Sequence, residues 1–131
     1  MDLQLKNKII IVTGGAKGIG EGIVKVLAAE GAVPVIIGRD EADNLKTVNE
    51  IEATGGKAFQ FVAELTQPAE CEKAVKTIQE KFEKIDGLVN NAGVNDSINL
   101  EHGSYENFML SLHRNLVHYY LIAPLCVTEI N

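Results

Sequence analysis

Residues 8–20 read KIIIVTGGAKGIG, and the fold follows from how this stretch is parsed. Residues 8–13 form an unbroken apolar run dominated by β-branched side chains, the pattern of a strand buried on both faces. Gly14 and Gly15 end it. From Ile19 onward, Ile23, Val24, Leu27 and Ala28 recur at helical spacing, and Gly31 stands where a left-handed C-cap commonly closes a helix. A strand buried on both faces needs helices above and below, so this one belongs at the centre of a parallel sheet.

The alternation continues downstream. Residues 33–37 predict a second strand, with Pro34 at its start where a missing N–H is tolerated, and Gly38, Arg39 and Asp40 lead out of it. A helix over residues 41–53 stops before Gly55 and Gly56. Residues 57–62 (KAFQFV) alternate as a third strand, and Pro68 suits the first turn of a helix carrying Ala74, Val75, Ile78 and Phe82 at helical spacing to residue 82. Residues 87–90 predict a fourth strand. Residues 91–103 are polar and turn-rich, and a helix begins near Ser104 with Glu106 and Asn107 in its first turn. The pattern is α/β: a Rossmann-like open parallel sheet with helices on both faces, built from four βα units. With no repeat or linker, residues 1–131 are expected to form a single domain.

Composition narrows the function. Twelve Lys+Arg against 18 Asp+Glu give a formal charge of -6, opposite to the basic footprint of a nucleic-acid binder. The longest apolar stretch, residues 116–127, contains His118 and Pro124 and falls short of the ~20 residues that span a bilayer. Residues 1–8 hold no signal-like apolar core. A soluble, cytoplasmic protein with no membrane partner is the expectation, and Cys71 and Cys126, without a CxxC, read as free structural thiols.

Two segments carry chemistry. Residues 13–20 (TGGAKGIG) lie between a buried strand and a helix, where glycines let the main chain approach a pyrophosphate and the helix N-terminus offers unpaired N–H groups. Residues 86–93 (DGLVNNAG) are a strand running directly into Asn-Asn-Ala-Gly, at the end of an α/β sheet where ligands bind. Together these motifs resemble those of the classical short-chain dehydrogenase/reductase family. The resemblance runs from about residue 5 to about residue 120 and corresponds to the N-terminal half of a family member.

That resemblance implies that Gly14, Gly18 and Gly20 cradle the phosphates of a nicotinamide dinucleotide, with Thr13, Lys17 and Ile19 in the same loop. It implies that residues 90–93 (Asn90, Asn91, Ala92 and Gly93) hold the fourth strand and line the adenine-ribose side. Glu64 stands where the family usually has an Asp for the adenine amino group, and Asn115 matches a helix asparagine that helps hold a proton-relay water. Where the family binds the ribose with a carboxylate and so selects NAD, this chain has Gly38 followed by Arg39. A guanidinium can chelate a 2′-phosphate, with Lys17 as a second cation, so NADP is the expected cofactor and NAD the alternative.

The family's proton donor is a tyrosine with a lysine four residues on. Tyr105, Tyr119 and Tyr120 are followed at that spacing by Met109, Ala123 and Pro124, so this chain has no such pair and is expected to be inactive alone. The three tyrosines read as core or interface aromatics. His113 and His118 lie roughly 140° apart on an α-helix and do not converge on a metal. The apolar residues 116–127 predict association, as a homo-oligomer or through that helix. Three readings stand: the cofactor-binding half of an NAD(P)-dependent oxidoreductase acting on a carbonyl or secondary alcohol, such as a sugar or acyl intermediate; a non-catalytic dinucleotide- or partner-binding module; and a structural domain with a vestigial glycine loop.

Overall fold

Four strands, β1 (Ile9–Thr13), β2 (Val33–Gly38), β3 (Phe59–Val62) and β4 (Gly87–Val89), form one parallel sheet in the order β3-β2-β1-β4. The structure, a computed structural model, describes residues 1–127; residues 128–131, the tail of the expected domain, lie outside the described residues. Helices α1 (Gly18–Ala29), α2 (Glu41–Ala53) and α3 (Pro68–Phe82) connect successive strands. After β4 come α4 (Tyr105–Leu112), a π-helical segment (His113–Val117) and α5 (His118–Val127).

The central strand obeys the period of two. Ile9 and Ile11 face one core, with Val33, Val35 and Ile37 of β2, Ala74, Val75 and Ile78 of α3, and Ile122 of α5. Ile10 and Val12 face the other, with Ile36, Val24 of α1, and Val48 and Ile51 of α2. Because both faces are covered, every residue of β1 is buried, which is why the run lacks polar alternation. The Rossmann-like expectation is met, including β1 as an interior strand.

Local chemistry sets the boundaries. Val33 donates to the Lys8 carbonyl at 2.8 Å, so its neighbour Pro34 turns its nitrogen to the β3 side, where the ladder begins one residue later at Val35 and Phe59. Asp40 caps α2 by accepting from the Asp43 N–H at 3.0 Å, and Ser104 caps α4 through the Asn107 N–H at 3.1 Å. Gly31 adopts φ +87, as its C-cap reading required. The third strand starts at Phe59 rather than 57, and the fourth ends at Val89 rather than Asn90, because their ladders end there.

The region after Ser104 is less simple than one amphipathic helix. The π-helical turn leaves α4 and α5 with different facing residues: His118 is buried, while Tyr105, Phe108, Leu116 and Tyr120 are exposed. Tyr105 and Tyr120 are therefore not core aromatics. The α-helical angle between His113 and His118 does not apply across a π segment; burial of one ring and exposure of the other separates them instead. Burial lowers the His118 pKa and favours its neutral form, and its Nε2 lies 3.1 Å from the Arg114 carbonyl. Both cysteines are free and buried, and burial pushes the Cys126 thiol up to about 11, so neither is poised to react.

Asp86 ties the sheet's lower edge together. Its Oδ2 accepts from the Ile9 N–H at 2.8 Å and pairs with Lys84 at 3.1 Å, joining the starts of β1 and β4. Burial raises its pKa, but the Ile9 amide and Lys84 together outweigh this and hold it below the usual carboxylate value. The folded pKa is thus below the unfolded one, so the stabilisation is complete above about pH 4 and is lost as pH falls through the depressed value. Asp86→Asn is expected to destabilise by roughly 1 kcal/mol near neutrality. Urea unfolding from pH 7 to pH 3 should show the gap between the two proteins closing only below about pH 4.

Candidate functional site

All four strands point the same way, so their C-terminal ends share one edge. The chain steps outward from β1 through β2 to β3 and then returns to β1's other side for β4, which opens a crevice at the reversal. A cleft of about 520 Å³ lies there. Its walls come from the loop after β1 (Gly14, Ala16, Lys17), the end of β2 (Gly38, Arg39), the β3–α3 turn (Glu64, Thr66) and the segment after β4 (Asn91 to Val94). Ile19, exposed in the first turn of α1, adds an apolar contact surface.

The glycine loop and the Asn-Asn-Ala-Gly turn are stitched to each other. Thr13 is fully buried, and its Oγ1 accepts from the Asn91 N–H at 3.0 Å and the Ala92 N–H at 3.1 Å. The Asn91 side-chain amide donates in return to the carbonyls of Thr13 and Gly14, each at 3.2 Å. This contact requires glycine: Gly14 has φ +66, and a Cβ there would lie 2.8 Å from the Ala92 Cα. A Cβ on Gly20 would collide with the Gly14 carbonyl and the Asn91 amide. Thr13 and Gly20 thus hold the loop from behind, whereas nothing lies within 4 Å of where a Gly18 Cβ would stand.

The first turn of α1 has no side-chain cap, because its N-cap residue Lys17 makes no such bond. Its leading N–H groups are left for an anion, reinforced by the helix dipole. The Lys17 ammonium instead reaches Asp43 of α2 at 2.8 Å. Arg39 is exposed, lines the cleft and joins no ion pair among the described residues. Behind it Asn44, buried on the inner face of α2, donates to the Gly38 carbonyl at 3.1 Å and to Gln60 at 3.2 Å. A Cβ on Gly38 would lie 2.6 Å from the Asn44 Oδ1, so a larger residue there would displace that anchor.

At the cleft's other side, Glu64 is half-buried and folds back, its Oε1 accepting from the Thr66 hydroxyl at 3.0 Å. Asn115, in the π-helical segment, accepts from the Val94 N–H at 2.7 Å and donates to the Ser111 carbonyl at 3.0 Å. It braces the segment carrying Ala92 and Gly93 from behind; a Cβ on Gly93 would approach its Oδ1 to 2.9 Å. Arg114 reaches the cleft while bonded to Asp96 at 3.0 Å. The Asn90 Oδ1 is buried at the end of β4 with no hydrogen-bond partner among the described residues.

Residues 8–130 match the short chain dehydrogenase family profile. The chain belongs to the short-chain dehydrogenase family. Among solved structures, the chain superposes on the crystal structure of Cj0485 dehydrogenase with TM-score 0.88 and 39% identity, over 99% of this chain and 49% of that one. It matches an NADH-dependent reductase A1-R′ complexed with NAD at TM-score 0.87 and 30% identity, over 98% of this chain and 54% of the other. A 3-oxoacyl-[acyl-carrier-protein] reductase of Chlamydia pneumoniae is 32% identical over 120 residues, 92% of this chain and 48% of the reductase. The chain spans about half the length of these relatives.

Asn44 and Asp43 lie outside both motifs, whereas Asn91 falls within the 90–93 turn that the sequence marks for holding the fourth strand. The available signal was a polar pair, Asn44 and Thr47, on the same helical stripe as Val48 and Ile51; both are buried. A Gly20→Ala substitution should destabilise the fold by roughly 1–3 kcal/mol through overpacking against the Gly14 carbonyl and the Asn91 amide. Gly22→Ala, two residues on with open space around it, should instead stabilise by roughly 0.5–1 kcal/mol. Paired thermal melts of each variant against the parent read both.

Proposed function

We propose that residues 1–131 form a Rossmann-type unit that binds a nicotinamide dinucleotide, the cofactor-binding half of an oxidoreductase acting on a carbonyl or secondary alcohol. The observation that carries this reading is the uncapped start of α1 beneath a loop whose glycines approach within contact of the Asn-Asn-Ala-Gly turn. Gly14 and Gly18 would bring main chain against the pyrophosphate, with Thr13, Gly20, Asn91 and Asn115 holding that surface in place. The orphaned Asn90 Oδ1 is an acceptor in need of a donor at the same sheet edge. Ala92 and Gly93 would line the wall beside the adenosine, and Glu64 its far end. When bound, the nicotinamide supplies the hydride chemistry of the reaction, and the residues here would hold the cofactor by its phosphates and adenosine.

NADP is the cofactor this rim favours. Arg39 is an exposed guanidinium without an ion-pair partner among the described residues, and Gly38 replaces the carboxylate that would repel a 2′-phosphate. Arg39→Asp should lower NADPH affinity by about tenfold or more and bring NADH to parity or better, read by fluorescence titration of both cofactors. Equal affinities unchanged by the substitution would refute the assignment.

None of the tyrosines in this sequence is followed by lysine at the fourth position, an observation that favours the non-catalytic, dinucleotide-binding reading for these 131 residues taken alone. The purified 131-residue chain should bind NADPH yet show no oxidation of it above background with carbonyl substrates, followed by the loss of reduced-nicotinamide absorbance. The exposed Tyr105, Phe108, Leu116 and Tyr120 support association through the α4–α5 face, as a homo-oligomer or with a partner that covers it. No helix among the described residues is long and apolar enough to cross a membrane.

A further inference from the structure

Two cations and two acids, drawn from the loop after β1, the end of β2 and the start of α2, line one wall of the cleft, and they are not equivalent. Asp40 already accepts from the Asp43 N–H as the cap of α2. The Asp43 carboxylate takes no part in that cap, since only its backbone N–H does. Its one partner among the described residues is the Lys17 ammonium, at 2.8 Å. All four groups line the same cleft. The Asp43 hydrogen bond and charge raise the Lys17 pKa, with a smaller push from Asp40 and an opposing one from Arg39, so the four sense one another.

This constrains what the rim offers a ligand. A 2′-phosphate carries nearly two negative charges near neutral pH, and cations within hydrogen-bonding reach are its main source of affinity. Arg39 is unengaged, but Lys17 must leave a carboxylate before it can serve a phosphate, and that carboxylate then stands beside the dianion. A ribose with a free 2′-hydroxyl meets no such competition. We propose that Asp43 is a specificity-determining residue that holds down the preference for a 2′-phosphorylated dinucleotide by engaging Lys17. The inference rests on the proposed dinucleotide site and refines it: Arg39 sets the preference and Asp43 limits its size.

Three variants test it by titration, with NADPH, NADH, 2′,5′-ADP and 5′-AMP as probes. Asp43→Asn keeps the backbone N–H used by the cap, so α2 retains its start, and circular dichroism verifies the fold. It should raise the ratio of NADPH to NADH affinity by about two- to fivefold, the range an exposed ion pair controls, with the same change in the ratio of 2′,5′-ADP to 5′-AMP. Lys17→Gln alone should change the ratio little, because its ammonium is already engaged. In Asp43→Asn/Lys17→Gln the gain should vanish. An unchanged ratio in Asp43→Asn, or a gain that persists without Lys17, overturns the inference while leaving the dinucleotide site standing. Failure of the folded parent to bind either dinucleotide overturns both.

Discussion

The fastening of the first strand's end to the fourth strand's end is the constraint on which the rest of the site depends. A buried threonine hydroxyl accepts two main-chain amides from the Asn-Asn-Ala-Gly turn, and the Asn91 side chain returns two bonds to the carbonyls of Thr13 and Gly14. Each partner satisfies groups that the strand ladders leave unpaired just past their ends. The stitch closes only because Gly14 and Gly20 have no Cβ, so main chain can approach main chain at contact distance. Its consequence is a floor of hydrogen-bonded main chain next to the uncapped first turn of α1.

Bracing spreads outward from that floor in two directions. On one side Asn44 reaches from the buried face of α2 to the Gly38 carbonyl, fixing where the β2–α2 turn presents Arg39. On the other, the π-helical segment presents Asn115 to the Val94 N–H while His118 approaches the Arg114 carbonyl. The buried Asn44 amide and His118 imidazole act as anchors in a low-dielectric setting where a lost partner is costly, while Asn115 is half-buried. The charged groups at the rim behave differently: Lys17 and Asp43 are solvent-accessible, so their pairing sets selectivity more than stability.

The sheet and its helices were legible in the sequence because burial on both faces leaves a period that solvent cannot blur. The run at residues 8–13, the helical spacing from Ile23 to Ala28 and the glycine at position 31 each named their element correctly. Two things escaped. Which half of the core-or-interface expectation applies to Tyr105 and Tyr120 is one: both stand exposed, so only the core half fails, and the π turn that resets the helix phase leaves no periodic signature in five residues. Asn91 lay inside a motif read as a whole, and nothing in Asn-Asn distinguishes the residue that holds the loop from the one whose Oδ1 is left over.

The sequence by itself determined which residues bury, where strands give way to helices, and that glycines and asparagines gather at one edge of a parallel sheet. Those follow from local geometry and from the period of apolar side chains, both of which are properties of neighbours along the chain. Only the tertiary structure decided which polar groups are already spent. Lys17 is committed to Asp43, Glu64 to Thr66 and Asn115 to Val94, while Arg39 has no ion-pair partner among the described residues. Such commitments depend on distances between segments far apart in sequence, and a difference of a few ångströms there separates a cation held by a carboxylate from one open to a ligand.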